Sequence, residues 1–479
     1  MTTTSILKLI DGALIAVPNS LDLITPYVLL EQEDWFEDEI KFLRKIIQPG
    51  SRVIDVGANY GIYTLSLAKK IGASGVIWSF EPASGTAKYL SESIAANNFS
   101  NIILDQSALS DEIGTADLYL DIDSELNSLS KFNTHSRSSE KVKLTTLDDC
   151  TKKYQWKDIS FVKIDAEGEE ENIIKGGINF FNEFSPLVQF EVKAQENQNT
   201  KLIDDFLKIG YDCFRLVPGL GVLVPFDSTQ TLDDFALNLF CCKKDRAKLL
   251  ASQGLLVESL QNSSSSFSAF EDYISPQEIQ QYSWPNTVGK LSYGLLLFPS
   301  WKKTMAQKND HVVEFALINY AISQDENVAS DRRFDALKNS FDALNQLCSQ
   351  SPTYLRLSSL ARVARDYGER RVAVMALQEL SQKILSGQSI DLGEPFLAPG
   401  VRFDSMPAEK SLINWTLAAV LEEYERLGSF SSFYTEKSAL ERLKIIDGLG
   451  VDCPEMKRRL KLIEGRFKRP LPKYQFNLK

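Results

Sequence analysis

The chain has 479 residues, of which 43% are hydrophobic and 24% charged. That is more than one ordinary core accommodates, and it predicts two or three domains. A formal net charge of −11 makes nucleic acid a poor partner, because an electronegative surface repels a phosphate backbone. The six cysteines (Cys150, Cys213, Cys241, Cys242, Cys348 and Cys453) include no C-x-x-C pair, and the only histidines are His135 and His311. This argues against a disulfide framework, a zinc site or a histidine-based metal centre, and it fits a reducing compartment.

The opening "MTTTSILKLIDGALIAVP" has no basic stretch and carries an Asp-Gly turn within its apolar run. It predicts a β-hairpin rather than a signal peptide. No segment approaches the ~20 apolar residues that span a bilayer, and the expected location is cytoplasmic.

From residue 37 to 243 helix-like and strand-like segments alternate. "FEDEIKFLRKII" leads into strand "SRVIDVG", followed by helix "YGIYTLSLAKKIG", strand "GVIWSFEP", helix "GTAKYLSESIAANN" and strand "NIILDQSAL". After a polar excursion come strand "SFVKIDAEG", helix "EEENIIKGGINFF", strand "PLVQFEV", helix "TKLIDDFLKIG", and the β-rich "YDCFRLVPGLGVLVPF" and "NLFCCK". Continuous apolar strands separated by helices predict an α/β fold with a parallel, Rossmann-like sheet covered on both faces. Ligands of such sheets bind beyond the carboxyl ends of the strands. Here those ends carry Asp55, Glu81, Asp105, Asp165 and Glu191.

The sequence changes character at "NSSSSFS", residues 262–268, the best linker in the chain. We therefore expect a first domain over residues 1–250, a linker region over 251–269 and an all-α domain over 270–479. Segments such as "HVVEFALINYAI", "RFDALKNSFDALNQL" and "LINWTLAAVLEEYERLG" carry helical periodicity. "LARVARDYGERRVAVMALQEL" resembles one tetratricopeptide-type hairpin, without a second clean copy.

The turn after the first strand reads Asp55-Val56-Gly57-Ala58-Asn59-Tyr60-Gly61. A dinucleotide site wants G-x-G-x-x-G facing a pyrophosphate. Here Asn59 replaces the middle glycine, and Asp55 would repel phosphate by about 4 kcal/mol at ~4 Å. Both features argue against a nicotinamide-dependent oxidoreductase. S-adenosylmethionine, which has a sulfonium, an ammonium and no phosphate, turns that repulsion into attraction. Glu81 supplies the carboxylate that accepts from ribose hydroxyls in either class of site.

Residues of about 31 to 243 resemble the FkbM family of S-adenosylmethionine-dependent methyltransferases. The matching pieces are "WFEDEIKFL", "VIDVGANYGIYTLSLA", "SFEP", "SALSD", "VKLTTLDD" and, most specific, "VKIDAEGEEENIIKGG". The resemblance covers under half of the chain. It implies a class I methyltransferase fold and O-methylation of sugar, glycan or natural-product hydroxyls, with S-adenosyl-L-homocysteine as product. It puts Asp55, Gly57, Ala58, Asn59, Tyr63, Glu81 and Pro82 in the cofactor site and Asp165 and Glu167 beside the transferred methyl; the third strand end, with Ser107 and Ala108, is expected from its position to border the adenine.

A hydroxyl acceptor must lose a proton to a nearby base. Asp165, Glu167 and Glu191 are the candidates, because each follows a strand aimed at the pocket. Glu167 has a competing structural role, accepting backbone amides at the start of the following helix, and Glu191 has one in a salt bridge. The same carboxylates could hold Mg²⁺ around a diol, although no sequence feature requires a metal. His135 and Arg137 lie in the polar excursion, where an acceptor lid would sit. The alternative function is a methyltransferase-fold scaffold whose helical domain binds a protein. A small-molecule or glycan acceptor is the expected partner, with the helical domain available for self-association or a protein partner.

Overall fold

The computed structural model describes residues 3–129, 138–192, 200–226, 229, 231–258, 274–307, 311–387, 390–408, 411–451 and 453–467. The excursion residues His135 and Arg137 and the linker motif 262–268 lie outside the described residues.

The N-terminal Asp-Gly turn closes a hairpin of β1 (Thr4–Lys8) and β2 (Leu14–Pro18), paired antiparallel. The central sheet contains β3 (Arg52–Val56), β4 (Val76–Phe80), β5 (Ile102–Asp105), β9 (Ile159–Ile164), β10 (Leu187–Glu191), β11 (Asp212–Val217), β12 (Val222–Pro225) and β13 (Asn238–Cys242). Their order is β12-β11-β13-β10-β9-β3-β4-β5. The five strands from β10 to β5 run parallel, while β11, β12 and β13 pair antiparallel. The sheet is therefore mixed, and only its ligand-facing part is parallel. Strand order reverses between β3 and β9, which places the crevice for a ligand above those two strands.

The predicted single strand "NIILDQSAL" divides at Gln106. β5 ends in the central sheet, and β6 (Ser107–Leu109) joins β7 (Gly114–Leu120) and β8 (Ser138–Thr145) in a separate sheet of order β6-β8-β7. The break turns Ser107 and Ala108 across the mouth of the crevice.

Beyond residue 274 the described elements are helical, from Pro276–Tyr282 to Pro454–Phe467. The hairpin-like stretch forms helices Tyr354–Tyr367 and Arg370–Leu385. Gly368 takes φ 97° between them, the left-handed geometry that ends a helix. The helical region does not stand apart. Val217, Leu220, Val222 and Val224 belong to the same buried cluster as Trp301, Leu337 and Leu360. A helix that periodicity did not predict, Ile24–Gln32, puts Tyr27 into a second shared core with Leu443 and Ile463. No helix among the described residues is long and apolar enough to cross a membrane.

Candidate active site

Asp55 and Lys163 are register partners on β3 and β9, so they reach the crevice side by side. Both are buried. The Lys163 ammonium is 2.6 Å from Asp165 Oδ2 and sits over the Tyr63 ring at 4.9 Å. Burial alone would lower its pKa, but Asp165, Asp55 and Glu37 together raise it, so the lysine stays charged. Asp55 Oδ2 accepts from Thr64 at 2.5 Å, whereas its Oδ1 is buried without a hydrogen-bond partner among the described residues. Burial, the largest effect, raises the Asp55 pKa against the lowering effect of Lys163.

The turn that follows is held by the chain itself. The Gly57 and Ala58 amides both donate to Phe80 O at 3.0 Å. A Cβ on Gly57, at φ 73°, would stand 1.7 Å from the Asp165 carbonyl oxygen, so this glycine is required by the junction of β3 with β9. Asn59 takes φ 49°, a left-handed conformation that asparagine tolerates better than most side chains. Its amide donates to Glu81 Oε2 at 2.8 Å, while Glu81 Oε1 accepts from Ala83 N at 2.9 Å. Burial pushes Glu81 up to about 7, against the lowering effect of those two amides.

Of the five strand-end acids, Asp105 has a structural role. It accepts from Lys153 at 2.8 Å and Tyr154 at 2.6 Å and stays out of the cavity. The other four line one cavity of about 290 Å³, together with Gly57, Ala58, Asn59, Tyr63, Pro82, Ser107, Ala108 and Glu167. The carboxylates considered as the base and every residue assigned to the cofactor site are therefore on this wall, whereas His135 lies outside the described residues. Asp165, Glu167 and Glu191 each bring a carboxylate oxygen within 4.8 Å of the others, a spacing that a divalent ion could also share. The amide-accepting role considered for Glu167 is filled by Glu170, which takes the Ala166 and Gly168 amides at 3.1–3.2 Å.

Tyr63 faces the cavity, but its hydroxyl is occupied from the other side, donating to Glu37 and accepting from Gln189 at 3.2 Å. Ser124 donates to Asn59 Oδ1 at 2.9 Å and Ser128 to the Glu167 carbonyl at 2.8 Å. The start of the polar excursion is thereby pinned across the turn, and Asn127, Ser128 and Leu129 line the cavity. Sequence reasoning passed over Lys163 and Glu37, although both lie inside quoted motifs. Thr25, Glu125 and Tyr434 also line the wall and carried no local signal. Tyr434 comes from helix Ser432–Gly448, more than two hundred residues beyond Glu191.

Residues 55–213 match the family model of the methyltransferase FkbM domain. This segment is an FkbM methyltransferase domain. The family is S-adenosylmethionine-dependent, and the matched segment runs from the end of β3 through β4, β5, β9 and β10 of the parallel part of the sheet. No curated protein matches the chain. Among solved structures, a methyltransferase FkbM from Methylobacillus flagellatus KT is similar at 17% identity and TM-score 0.28, covering 40% of this chain. The chain spans 44% of that protein's length. An S-adenosylmethionine-dependent O-methyltransferase from Thermotoga maritima is 13% identical over 50% of this chain and 77% of its own, with TM-score 0.26. A putative methyltransferase from Streptococcus mutans in complex with S-adenosylhomocysteine is 10% identical over 43% and 95%, with TM-score 0.27.

The wall of the FkbM domain fits such a cofactor. An unpartnered buried carboxylate oxygen on Asp55 suits a cationic group. The Glu81 carboxylate, fixed by two amides, keeps lone pairs for hydroxyl donors.

Proposed function

We propose that the FkbM domain transfers a methyl group from S-adenosylmethionine to a hydroxyl of a sugar, glycan or natural-product acceptor. The observation that carries this reading is the convergence of Asp165, Glu167 and Glu191 in the same cavity as Asp55 and Glu81. The cofactor supplies an electrophilic methyl on a sulfonium. Asp55 attracts its cationic end, Glu81 accepts from the ribose hydroxyls, and Gly57, Ala58, Asn59 and Pro82 shape the turn around it. Ser107 and Ala108 border the base. Tyr63 acts from beneath, holding Glu37 and Lys163 in place.

The remaining task is to hold an acceptor oxygen in line and remove its proton. Positioning contributes ~7–11 kcal/mol in such reactions. Asp165 is anchored to Lys163 at 2.6 Å and serves to orient. That leaves Glu167 and Glu191 as the groups to take the proton. The test is equilibrium titration of the full chain with S-adenosylmethionine, followed by incubation of methyl-labelled cofactor with fractionated cell extract. Saturable binding and label in a hydroxylated acceptor are expected. A folded protein that does not bind the cofactor would refute the proposal.

A further inference from the structure

Among the described residues on the wall of the active-site cavity, six carry a hydroxyl: Thr25, Tyr63, Ser107, Ser124, Ser128 and Tyr434. Five of them donate to the chain itself. Thr25 donates to Glu125 and Tyr63 to Glu37. Ser107 donates to Asp105 at 2.6 Å, Ser124 to Asn59 at 2.9 Å and Ser128 to the Glu167 carbonyl at 2.8 Å. The Tyr434 hydroxyl has no hydrogen-bond partner among the described residues. Tyr434 is also what the helical domain contributes to this wall.

The backbone around Tyr434 is tied to two other helices. The Phe430 carbonyl accepts from Gln32 at 2.7 Å, the Ser432 amide donates to Glu31 at 3.0 Å, and the Ser432 hydroxyl is 2.9 Å from that of Tyr27. The Phe433 carbonyl accepts from Arg466 at 3.1 Å, and the same guanidinium covers the Phe433 ring at 4.0 Å. Held in this way, the Tyr434 side chain is still 51% exposed on the cavity wall. Burial, then the carboxylates of Glu125 and Asp123, push Tyr434 up to about 12, so its hydroxyl stays protonated. Glu125 is in turn near Glu167, because burial first, with the charges of Asp123 and Glu167, pushes it up to about 7. Tyr434 therefore offers an uncommitted donor on the side of the cavity where Glu125 neighbours Glu167.

We propose that Tyr434 binds the acceptor, donating a hydrogen bond to an oxygen other than the one that is methylated. The inference rests on the methyl transfer proposed above. It makes the acceptor polyoxygenated, with the reacting hydroxyl directed to Glu167 or Glu191 and a second oxygen on Tyr434. It also gives the helical domain a function, since acceptor choice then depends on a side chain that the FkbM domain does not contain.

The probe is the extract fraction that takes label from methyl-labelled cofactor in the presence of the unaltered chain. Initial rates are measured against the amount of that fraction for the full chain and for its Tyr434→Phe and Tyr434→Ala variants. Tyr434→Phe removes one oxygen atom and is expected to raise the half-saturating amount about fivefold to tenfold, the effect of one uncharged hydrogen bond. The maximal rate should change less than about twofold, as for a bond made equally before and during transfer. S-adenosylhomocysteine affinity and the melting temperature should be unchanged. An unaltered half-saturating amount in Tyr434→Phe would overturn the proposal, and so would a rise confined to Tyr434→Ala, which assigns the effect to the ring. Weaker S-adenosylhomocysteine binding by Tyr434→Phe would overturn it as well, because the hydroxyl would then serve the cofactor. If the unaltered chain binds S-adenosylhomocysteine but labels no fraction, the transfer reading fails and this one with it.

Discussion

Lys163 on β9 stands beside Asp55 on β3 and is bonded at 2.6 Å to Asp165, one ammonium serving the buried Asp55 and the half-buried Asp165 and Glu37. Removing it leaves Asp55, Asp165 and Glu37 facing one another without a counter-ion. Breaking a buried pair from one side costs about 3–5 kcal/mol. Lys163→Met is therefore expected to lower the urea unfolding free energy by that amount. A midpoint equal to the unaltered protein's would show that the lysine is not what stabilises the cluster.

Gly57 is held at φ 73°, with the Asp165 carbonyl oxygen 1.7 Å from where a Cβ would be. Gly57→Ala cannot be relieved by moving a flexible side chain, because the obstacle is backbone. Strain of about 1–3 kcal/mol is expected from the conformation alone, with more from separating β3 and β9. Cofactor titration should show a large loss of affinity, accompanied by a lower melting temperature. A variant that melted normally and bound normally would contradict the close approach.

Glu81 titrates near 7, chiefly through burial. It is increasingly neutral as pH falls below that value, and a neutral carboxyl is a poorer acceptor for ribose hydroxyls. Affinity for S-adenosylhomocysteine should fall as pH drops through about 7, and Glu81→Gln should flatten that dependence. Stability runs the other way. The folded state holds the proton more tightly than the unfolded chain, so the contribution of the neutral form is complete below about 4.5 and is lost as pH rises through about 7. Calorimetric binding and thermal melts across this range test both signs.

Arg459 ties the N-terminal helix to the end of the chain. It is 3.7 Å from Glu31 and from Glu425 and 2.9 Å from Glu455, with Glu31 and Glu425 fully or almost fully buried. Arg459→Ala takes the cation from buried Glu31, while Glu425 keeps Arg442 at 2.7 Å and Glu455 keeps Arg426 at 2.9 Å, and a loss of about 3 kcal/mol is expected. Chemical denaturation measures it. Limited proteolysis should also cut sooner near the junction of the two domains.

The alternation of strands and helices was legible because each element's apolar period is a local property. The wall of the cavity was legible for a related reason: parallel strands all deliver their carboxyl ends to one edge, so strand-end acids converge without further information. Asp105 shows the limit of that rule. Its strand ends like the others, yet Lys153 and Tyr154, supplied by a helix far along the chain, take it up. The division of "NIILDQSAL" into two strands was equally hidden, since its apolar pattern continues through the point where the chain changes sheets.

The sequence by itself determined the Rossmann-like alternation, the domain family and the acids at the strand ends, because apolar period and motif spacing act over short distances. Only the tertiary structure decided the charge balance of the site and its extent. Lys163 neutralises Asp165 and Asp55 because β9 lies next to β3, which the order of the chain does not reveal. Tyr434 reaches the cavity because helices after residue 411 pack on the helix Ile24–Gln32 through Tyr27, Glu31 and Gln32. Such contacts depend on shape and buried charge across some four hundred residues, and no local period encodes them.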